Sequence, residues 1–247
     1  MADALAQARM EVALGNRILA NEGVLDAFGH VSVRHPHNPK RYLLSCSRAP
    51  ELVAPADVLE YDLDSNPVTT TNEKLYAERV IHGEIYKARP DVMAVVHNHS
   101  PAVLPFCVAR GAKLQPVCHM AGFLGGSDAR DGPPLFEIRD HAGPASDLLI
   151  RNRALGAALA HALGPSRVVL MRGHGCTVVA PSLRVAVFRA FYTEFNAKLM
   201  LSALPLGDVV SLTPEEADAT RITNEGQVAR PWELWREQAR QRRGGAP

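Results

Sequence analysis

Apolar positions along the chain change period several times, and each change marks an element. From about Ala4 to Ala20 small apolar residues recur at helical spacing between Glu, Arg and Asn, which predicts an amphipathic helix. "HVSVRHP" and "RYLLSCS" are expected as paired strands, and "VLEYDLDSNPV" as a strand leading into a turn at Ser65-Asn66-Pro67. "EKLYAERVIHGEIYKAR" carries Leu75, Val80, Ile81 and Ile85 among charges, so a helix is expected there. It runs straight into "DVMAVVHNHSP", a short buried strand bounded by Arg-Pro-Asp and Ser-Pro. After Pro101 the pattern predicts a helix, a strand over "LQPVCHM", a loop over "GFLGGSDARDGPPL" and a helix over "ASDLLIRNRALGAALAHAL". Two strands over "RVVLMRGHGCTVVAP" then flank a Gly-His-Gly turn, and "SLRVAVFRAFYTEFNAKLMLSAL" follows as a long helix with Ser182 as its N-cap.

The order α, a block of β, then αβαβα predicts a single-domain α/β protein with a mixed sheet between helical layers. No G-x-G-x-x-G opens a helix after a strand, so no dinucleotide fold is expected. The chain has 247 residues and a net charge of +1, enough for a full core and without an electrostatic reason to expect nucleic acid or an anionic membrane as partner. No apolar run approaches the roughly 20 residues that cross a bilayer, and no secretory pattern opens the chain. A cytoplasmic protein is expected. Cys46, Cys107, Cys118 and Cys176 are scattered without Cys-x-x-Cys spacing and are expected to be reduced and packed. Residues 206–247 are expected as a mobile C-terminal tail. Its Arg-rich end is expected as a solvated helix end, while Trp232 and Trp235 anchor the tail on the body or on a neighbouring subunit.

Candidate chemistry begins at the end of the apolar run. On a strand, side chains alternate between faces, so His97 and His99 project together as a pair of nitrogen ligands. Two separately satisfied core histidines would give the same text. His174, between two glycines at a strand-to-strand turn, is a third candidate, because flanking glycines let the backbone approach a neighbour closely. Three imidazoles leave the open position typical of catalytic rather than structural zinc. Glu78 and His82, four apart on one helix face, are both placed to overhang such an ion, and a solvated helical carboxylate remains the plain alternative for Glu78.

The Glu-x-x-x-His of "ERVIH", then "RPDVMAVVHNHSP", and later "GHG" before a long helix resemble the class II aldolase/adducin family over roughly residues 5–205. The resemblance implies a layered α/β/α fold with a mixed, mainly antiparallel sheet, residues 1–205 as the catalytic domain, and a homotetramer with sites at subunit interfaces. It further implies one divalent ion per subunit on His97, His99 and His174, with zinc favoured and manganese, cobalt or iron also suited to the donor set. Glu78 takes the place of the glutamate that approaches the metal and acts as acid/base.

The sugar-phosphate machinery of that family is altered here. His30 in "GHVSVR" stands where those enzymes carry Asn, and "SCSRAPE", with Ser47 and Arg48, stands where they carry a Thr-Gly phosphate loop. Tyr76 and Ala77 replace two serines, and His119 stands where the aldolases place a catalytic tyrosine. Arg48 binds a carboxylate in bidentate fashion, and His30 adds a hydrogen bond, so an unphosphorylated carboxylic acid is the expected substrate. "YLLSCSRAPELV" and "ERVIHGEIY" resemble the family's decarboxylases, such as dihydroxyphthalate decarboxylases. The expected activity is a metal-dependent carbon–carbon lyase. It is read as a decarboxylase of a hydroxylated aromatic or ring-opened oxo or hydroxy acid, with Glu78 or His119 delivering the proton that replaces carbon dioxide. The alternatives are an aldolase acting on an unphosphorylated 2-oxo acid adduct or on a sugar phosphate, a dehydratase or epimerase, and a non-catalytic adducin-like interaction module.

Overall fold

The structure is a computed structural model that describes residues 2–242. In chain order it contains α1 (Ala2–Asn21), β1 (His30–Arg34), β2 (Arg41–Ser45), β3 (Val58–Asp62), α2 (Arg79–Ala88), β4 (Ala94–Asn98) and α3 (Leu104–Val108). These are followed by β5 (Leu135–Phe136), α4 (Arg139–Ala142), α5 (Arg153–Leu163), β6 (Val168–Met171), β7 (Gly175–Ala180), α6 (Leu183–Ala203), α7 (Pro214–Glu225) and α8 (Ala229–Gln241). The seven strands form one sheet in the order β3-β2-β1-β4-β7-β6-β5. Every pairing is antiparallel except β5 with β6, so the sheet is mixed and mainly antiparallel, as expected.

Side-chain alternation divides the core into two halves. Val31, Val33, Ala94, Val96, Cys176 and Val178 face a layer containing residues of α1, α3, α6 and α8. Tyr42, Leu44, Val95, Val169 and Val179 face α2 and α5. Because paired strand residues share a face, the register His30↔His97↔Thr177 puts all three on the α2 side, with Ser32 two positions from His30.

Several boundaries differ from those expected, each for a local reason. Residues 73–78 are not helical; the Lys74 carbonyl accepts the Ser47 N–H, so this segment runs beside the β2 exit and α2 starts only at Arg79. "LQPVCHM" forms no strand. Pro116 cannot donate to a ladder, and the Asn196 side chain takes the place of one by bonding the Val117 N–H and the Gln115 carbonyl. The helix expected from Ala145 begins at Arg153, capped by Asn152, because Leu148 adopts a left-handed backbone (φ 68°) that no helix accommodates. The expected loop at 122–135 holds a short 3-10 segment, His119–Leu124, and ends in the edge strand β5.

Beyond residue 205, α7 and α8 pack on the body. Trp235 lies 4.9 Å from the Phe191 ring, Arg184 sits over Trp232, and the buried Arg189 of α6 bonds Glu225 of α7 at 2.7 Å. Residues 243–247 of the Arg-rich end lie outside the described residues. Cys46, Cys107 and Cys176 are buried, Cys118 is half-buried, and all four are free. Among the described residues no helix is long and apolar enough to cross a membrane.

Candidate metal centre

Three elements converge at the end of β4. His97 is the penultimate residue of that strand, and His99 is two positions later on the same face. His174 occupies the turn between β6 and β7, where Gly173 (φ 65°) takes a conformation that few other residues tolerate. Gly175 packs directly on the backbone of Asn98 and His99, where any Cβ would collide. That contact is what brings His174 beside His99. The three imidazoles stand at nearly equal spacing: 5.0 Å between the centroids of His97 and His99, 4.9 Å for His97 and His174, and 5.0 Å for His99 and His174. Glu78 closes the group from the residue that precedes α2, and one ligand atom from each of the four lies within 4.8 Å of the others.

The hydrogen bonding fixes which atoms face inward. His174 Nδ1 lies 2.8 Å from the Leu148 carbonyl, which only accepts, so this nitrogen carries the hydrogen and Nε2 keeps its lone pair. His97 Nδ1 has Thr177 Oγ1 at 3.3 Å. Glu78 Oε1 accepts the Ile150 N–H at 2.8 Å, while Oε2 faces His174 Nε2 at 3.4 Å and His97 Nε2 at 3.6 Å. Both Nε2 atoms are sealed from solvent without a hydrogen-bond partner. Buried polar atoms are rarely left so, and two imidazole lone pairs aimed at one carboxylate oxygen are the donor set of a divalent ion. The residues therefore fit a metal site.

Electrostatics agree with the geometry. Burial lowers the His97 imidazole below its ordinary value, and burial with the charges of His97 and His174 pushes His99 down to about 4. At these two positions the neutral imidazole, the ligating form, is thereby favoured. Burial pushes Glu78 up, but its contacts to His174 and His97 outweigh that and hold it well below the usual carboxylate range. Burial alone would lower His174; the same Glu78 carboxylate lifts it above its ordinary value.

The other site residues expected from sequence are placed as follows. His30 lies against the cluster, its ring 5.1 Å from His97 and 4.6 Å from Tyr76. Ser47 and Arg48 are exposed on the β2 exit loop, and the Tyr76 hydroxyl bonds the Arg48 carbonyl at 2.5 Å. The Arg48 guanidinium pairs with Asp57 at 3.2 Å. His119 is not brought to the cluster within this chain. It is exposed, with Asn224 of α7 as its partner, on a 3-10 segment whose buried residues belong to the opposite core.

His82, expected with Glu78 to overhang the ion, is not in the cluster; it stands behind His30, and both its ring nitrogens are taken up by His30 and Ser32. Sequence reading missed the backbone of Leu148 and Ile150, and the roles of Ser32 and Tyr86 beside His82. Leu148 and Ile150, whose backbone orients His174 and Glu78, lie where a helix was expected. Ser32, His82 and Tyr86 form a buried polar chain behind His30: His82 lies 2.6 Å from both His30 Nδ1 and Ser32 Oγ, and Ser32 Oγ lies 2.8 Å from the Tyr86 hydroxyl. The only textual signal was a serine inside an apolar strand and a His-x-x-x-Tyr pair on a buried helix face.

Comparison with known proteins gives the family and agrees with the fold. The family model described as Class II Aldolase and Adducin N-terminal domain matches residues 10–201. The decarboxylase tropJ of Talaromyces stipitatus is 38% identical over 242 residues, covering 90% of this chain and 90% of its own. The 3,4-dihydroxyphthalate decarboxylase of Arthrobacter keyseri is 32% identical over 243 residues, covering 94% of this chain and 93% of its own. Among solved structures, L-fuculose 1-phosphate aldolase from Glaciozyma antarctica has a TM-score of 0.76 over 97% of this chain and 90% of its own, at 20% identity. At that identity the likeness is one of fold.

Proposed function

The chain belongs to the class II aldolase and adducin family, and on that premise we propose that it is a divalent-metal-dependent decarboxylase of a hydroxylated aromatic acid or of a ring-opened oxo or hydroxy carboxylic acid. That it is an enzyme of the lyase type follows from the decarboxylase relatives, which match it over nine-tenths of its length. The observation that carries the metal-dependent reading is the pair of sealed Nε2 atoms on His97 and His174 that converge on Glu78 Oε2.

His97, His99 and His174 would hold one ion per subunit, and zinc suits the set best, with manganese, cobalt or iron as further candidates. When bound, a divalent ion supplies Lewis acidity toward a substrate oxygen, which takes up the electron pair released when the carboxylate leaves as carbon dioxide. The residues of the chain do the rest. Glu78 is held at Oε1 by Ile150, so Oε2 is the oxygen free to carry a proton between the substrate hydroxyl and the carbon that loses its carboxylate. His30 donates to a substrate oxygen beside the cluster. Ser47 and Arg48, on the loop that Tyr76 fastens next to His30, orient the carboxylate through the guanidinium edge that Asp57 does not occupy.

His119 acts in this scheme from a neighbouring subunit, since its own protomer leaves it exposed near α7. On this reading the sites lie at the interfaces of a homotetramer, with residues 1–205 as the catalytic domain and the segment from 206 as a C-terminal addition. We place the protein in the cytoplasm.

A carbon dioxide release screen over ortho-hydroxylated aromatic acids, beginning with 3,4-dihydroxyphthalate, and over ring-cleavage dienoates tests the reaction, with aldol donors run beside them. Carbon dioxide evolved in step with loss of the acid supports the decarboxylase. Release of pyruvate or an aldehyde, without carbon dioxide, assigns the site to aldol cleavage instead.

A further inference from the structure

Behind His30 lies a row of four polar side chains with a defined direction. Tyr86, on α2, points its hydroxyl at Ser32 Oγ at 2.8 Å; Ser32 Oγ is 2.6 Å from His82 Nδ1; His82 Nε2 is 2.6 Å from His30 Nδ1. All four residues are buried, with His82 and Ser32 fully so. Each link contains one hydrogen, so the row has two self-consistent arrangements. In one, every donor points toward His30; in the other, every donor points toward Tyr86.

The end of the row decides between them. If the donors ran toward Tyr86, the tyrosine hydroxyl would accept from Ser32 and its own hydrogen would have no acceptor, because Ser32 is its only hydroxyl partner among the described residues. A buried hydroxyl hydrogen left unpaired forfeits its full hydration without compensation. With the donors running the other way, Tyr86 donates to Ser32, Ser32 to His82 Nδ1, and His82 Nε2–H to His30 Nδ1. Every buried hydrogen in the row is then satisfied.

We infer that Tyr86, Ser32 and His82 are positioning residues that lock His30 in the Nε2–H tautomer, so that it presents a fixed hydrogen-bond donor beside the His97-His99-His174 cluster and selects substrates carrying an acceptor oxygen there. His30 Nε2 has no protein partner among the described residues and, unlike His97 Nε2 and His174 Nε2, it is not sealed from solvent. Its ring sits 5.1 Å from that of His97, its register partner on β4. A carboxylate or phenolate oxygen of a bound acid meets this donor; an ammonium at the same position has only hydrogens to offer and is rejected. The choice of an ionised acid as the ligand rests on the proposed function. The tautomer does not.

Long-range proton–nitrogen correlation spectra of protein labelled in its imidazoles read the tautomers directly, with no substrate and no turnover. Both His30 and His82 are expected with a pyrrole-type Nε2 and a pyridine-type Nδ1. A pyrrole-type Nδ1 on His30 would overturn the assignment whatever the protein catalyses. His82→Gln supplies an acceptor oxygen and a donor amide in the same row and is expected to keep the His30 signature. His82→Leu is expected to release it into a mixture of tautomers, and an unchanged His30 spectrum there would show that His82 does not set it. Salicylate is the probe for the acceptor. Its binding to the zinc-loaded protein is expected to weaken roughly tenfold in His82→Leu and to recover to within about twofold in His82→Gln. Equal binding by all three proteins would remove His30 from ligand recognition. If salicylate fails to bind the wild-type protein, the aromatic-acid reading is what fails, and the tautomer result stands on its own spectrum.

Discussion

The carbonyl oxygen of Leu148 accepts a hydrogen bond from His174 Nδ1 at 2.8 Å, and Leu148 makes it from a left-handed backbone with φ 68°. For a residue with a Cβ that conformation costs roughly 1–2 kcal/mol. It also ends any helix before Arg153 and turns the carbonyl toward the β6–β7 turn. The strain is spent on aiming one imidazole, and it stands next to a site, where such strain tends to cluster.

Leu148→Ile conserves side-chain volume but adds a branch at Cβ that the left-handed backbone resists. The carbonyl is expected to move, and zinc affinity, measured by competition with a chelating dye, to fall roughly tenfold or more. Leu148→Asn, which tolerates that backbone, is expected to keep wild-type affinity. Equal affinity in Leu148→Ile would show that the carbonyl does not orient His174.

Glu78→Gln keeps an oxygen for the Ile150 N–H but removes the carboxylate from the centre of the cluster. With three histidines still present, metal content by elemental analysis is expected to stay near wild type. Turnover is expected to drop roughly 100-fold or more, the usual contribution of a positioned acid/base. A loss of less than tenfold would relieve Glu78 of proton transfer.

Tyr76 joins His30 to the β2 exit loop, since its ring packs on His30 while its hydroxyl bonds the Arg48 carbonyl and accepts the Arg48 N–H. Tyr76→Phe leaves the packing and frees the loop. The Michaelis constant for an active acid is expected to rise about tenfold, with kcat changed little, if the loop binds the substrate as proposed rather than reacting with it. A fall in kcat at constant KM would contradict that role for Ser47 and Arg48.

Glu225 pairs with Arg189, which burial pushes down to about 10 against the opposing pull of that carboxylate. Glu225→Gln leaves a buried cation without its counter-charge and is expected to cost about 3 kcal/mol, read as a lower midpoint in urea. An unchanged midpoint would mean that α7 is held by other contacts.

The cluster that could hold an ion was legible where local geometry alone specifies it. His97 and His99 follow from alternation along a buried strand, and His174 from glycines that permit the close approach seen between Gly175 and Asn98. Glu78 was legible through the family motif more than through periodicity, because it precedes α2 rather than lying within it. Leu148 and Ile150 were hidden by helix-forming neighbours; tertiary hydrogen bonds to His174 and Glu78 overrode that propensity. The Ser32-His82 contact spans 50 residues of sequence, and nothing local encodes it. His119 was read from a family position on an expected strand, and the Asn196 side chain, which replaces that strand's ladder, has no signature in the sequence.

Decarboxylation is expected to depend on an ion held by His97, His99 and His174. Stripping the protein with a chelator, adding zinc stepwise and following carbon dioxide from carboxyl-labelled acid checks this dependence, with His97→Ala carried through the same titration. Activity is expected to rise in proportion to zinc and to level off at one ion per chain, while His97→Ala neither retains zinc nor turns over. Full activity in the stripped protein, or a His97→Ala variant that binds zinc stoichiometrically and releases carbon dioxide, would contradict it.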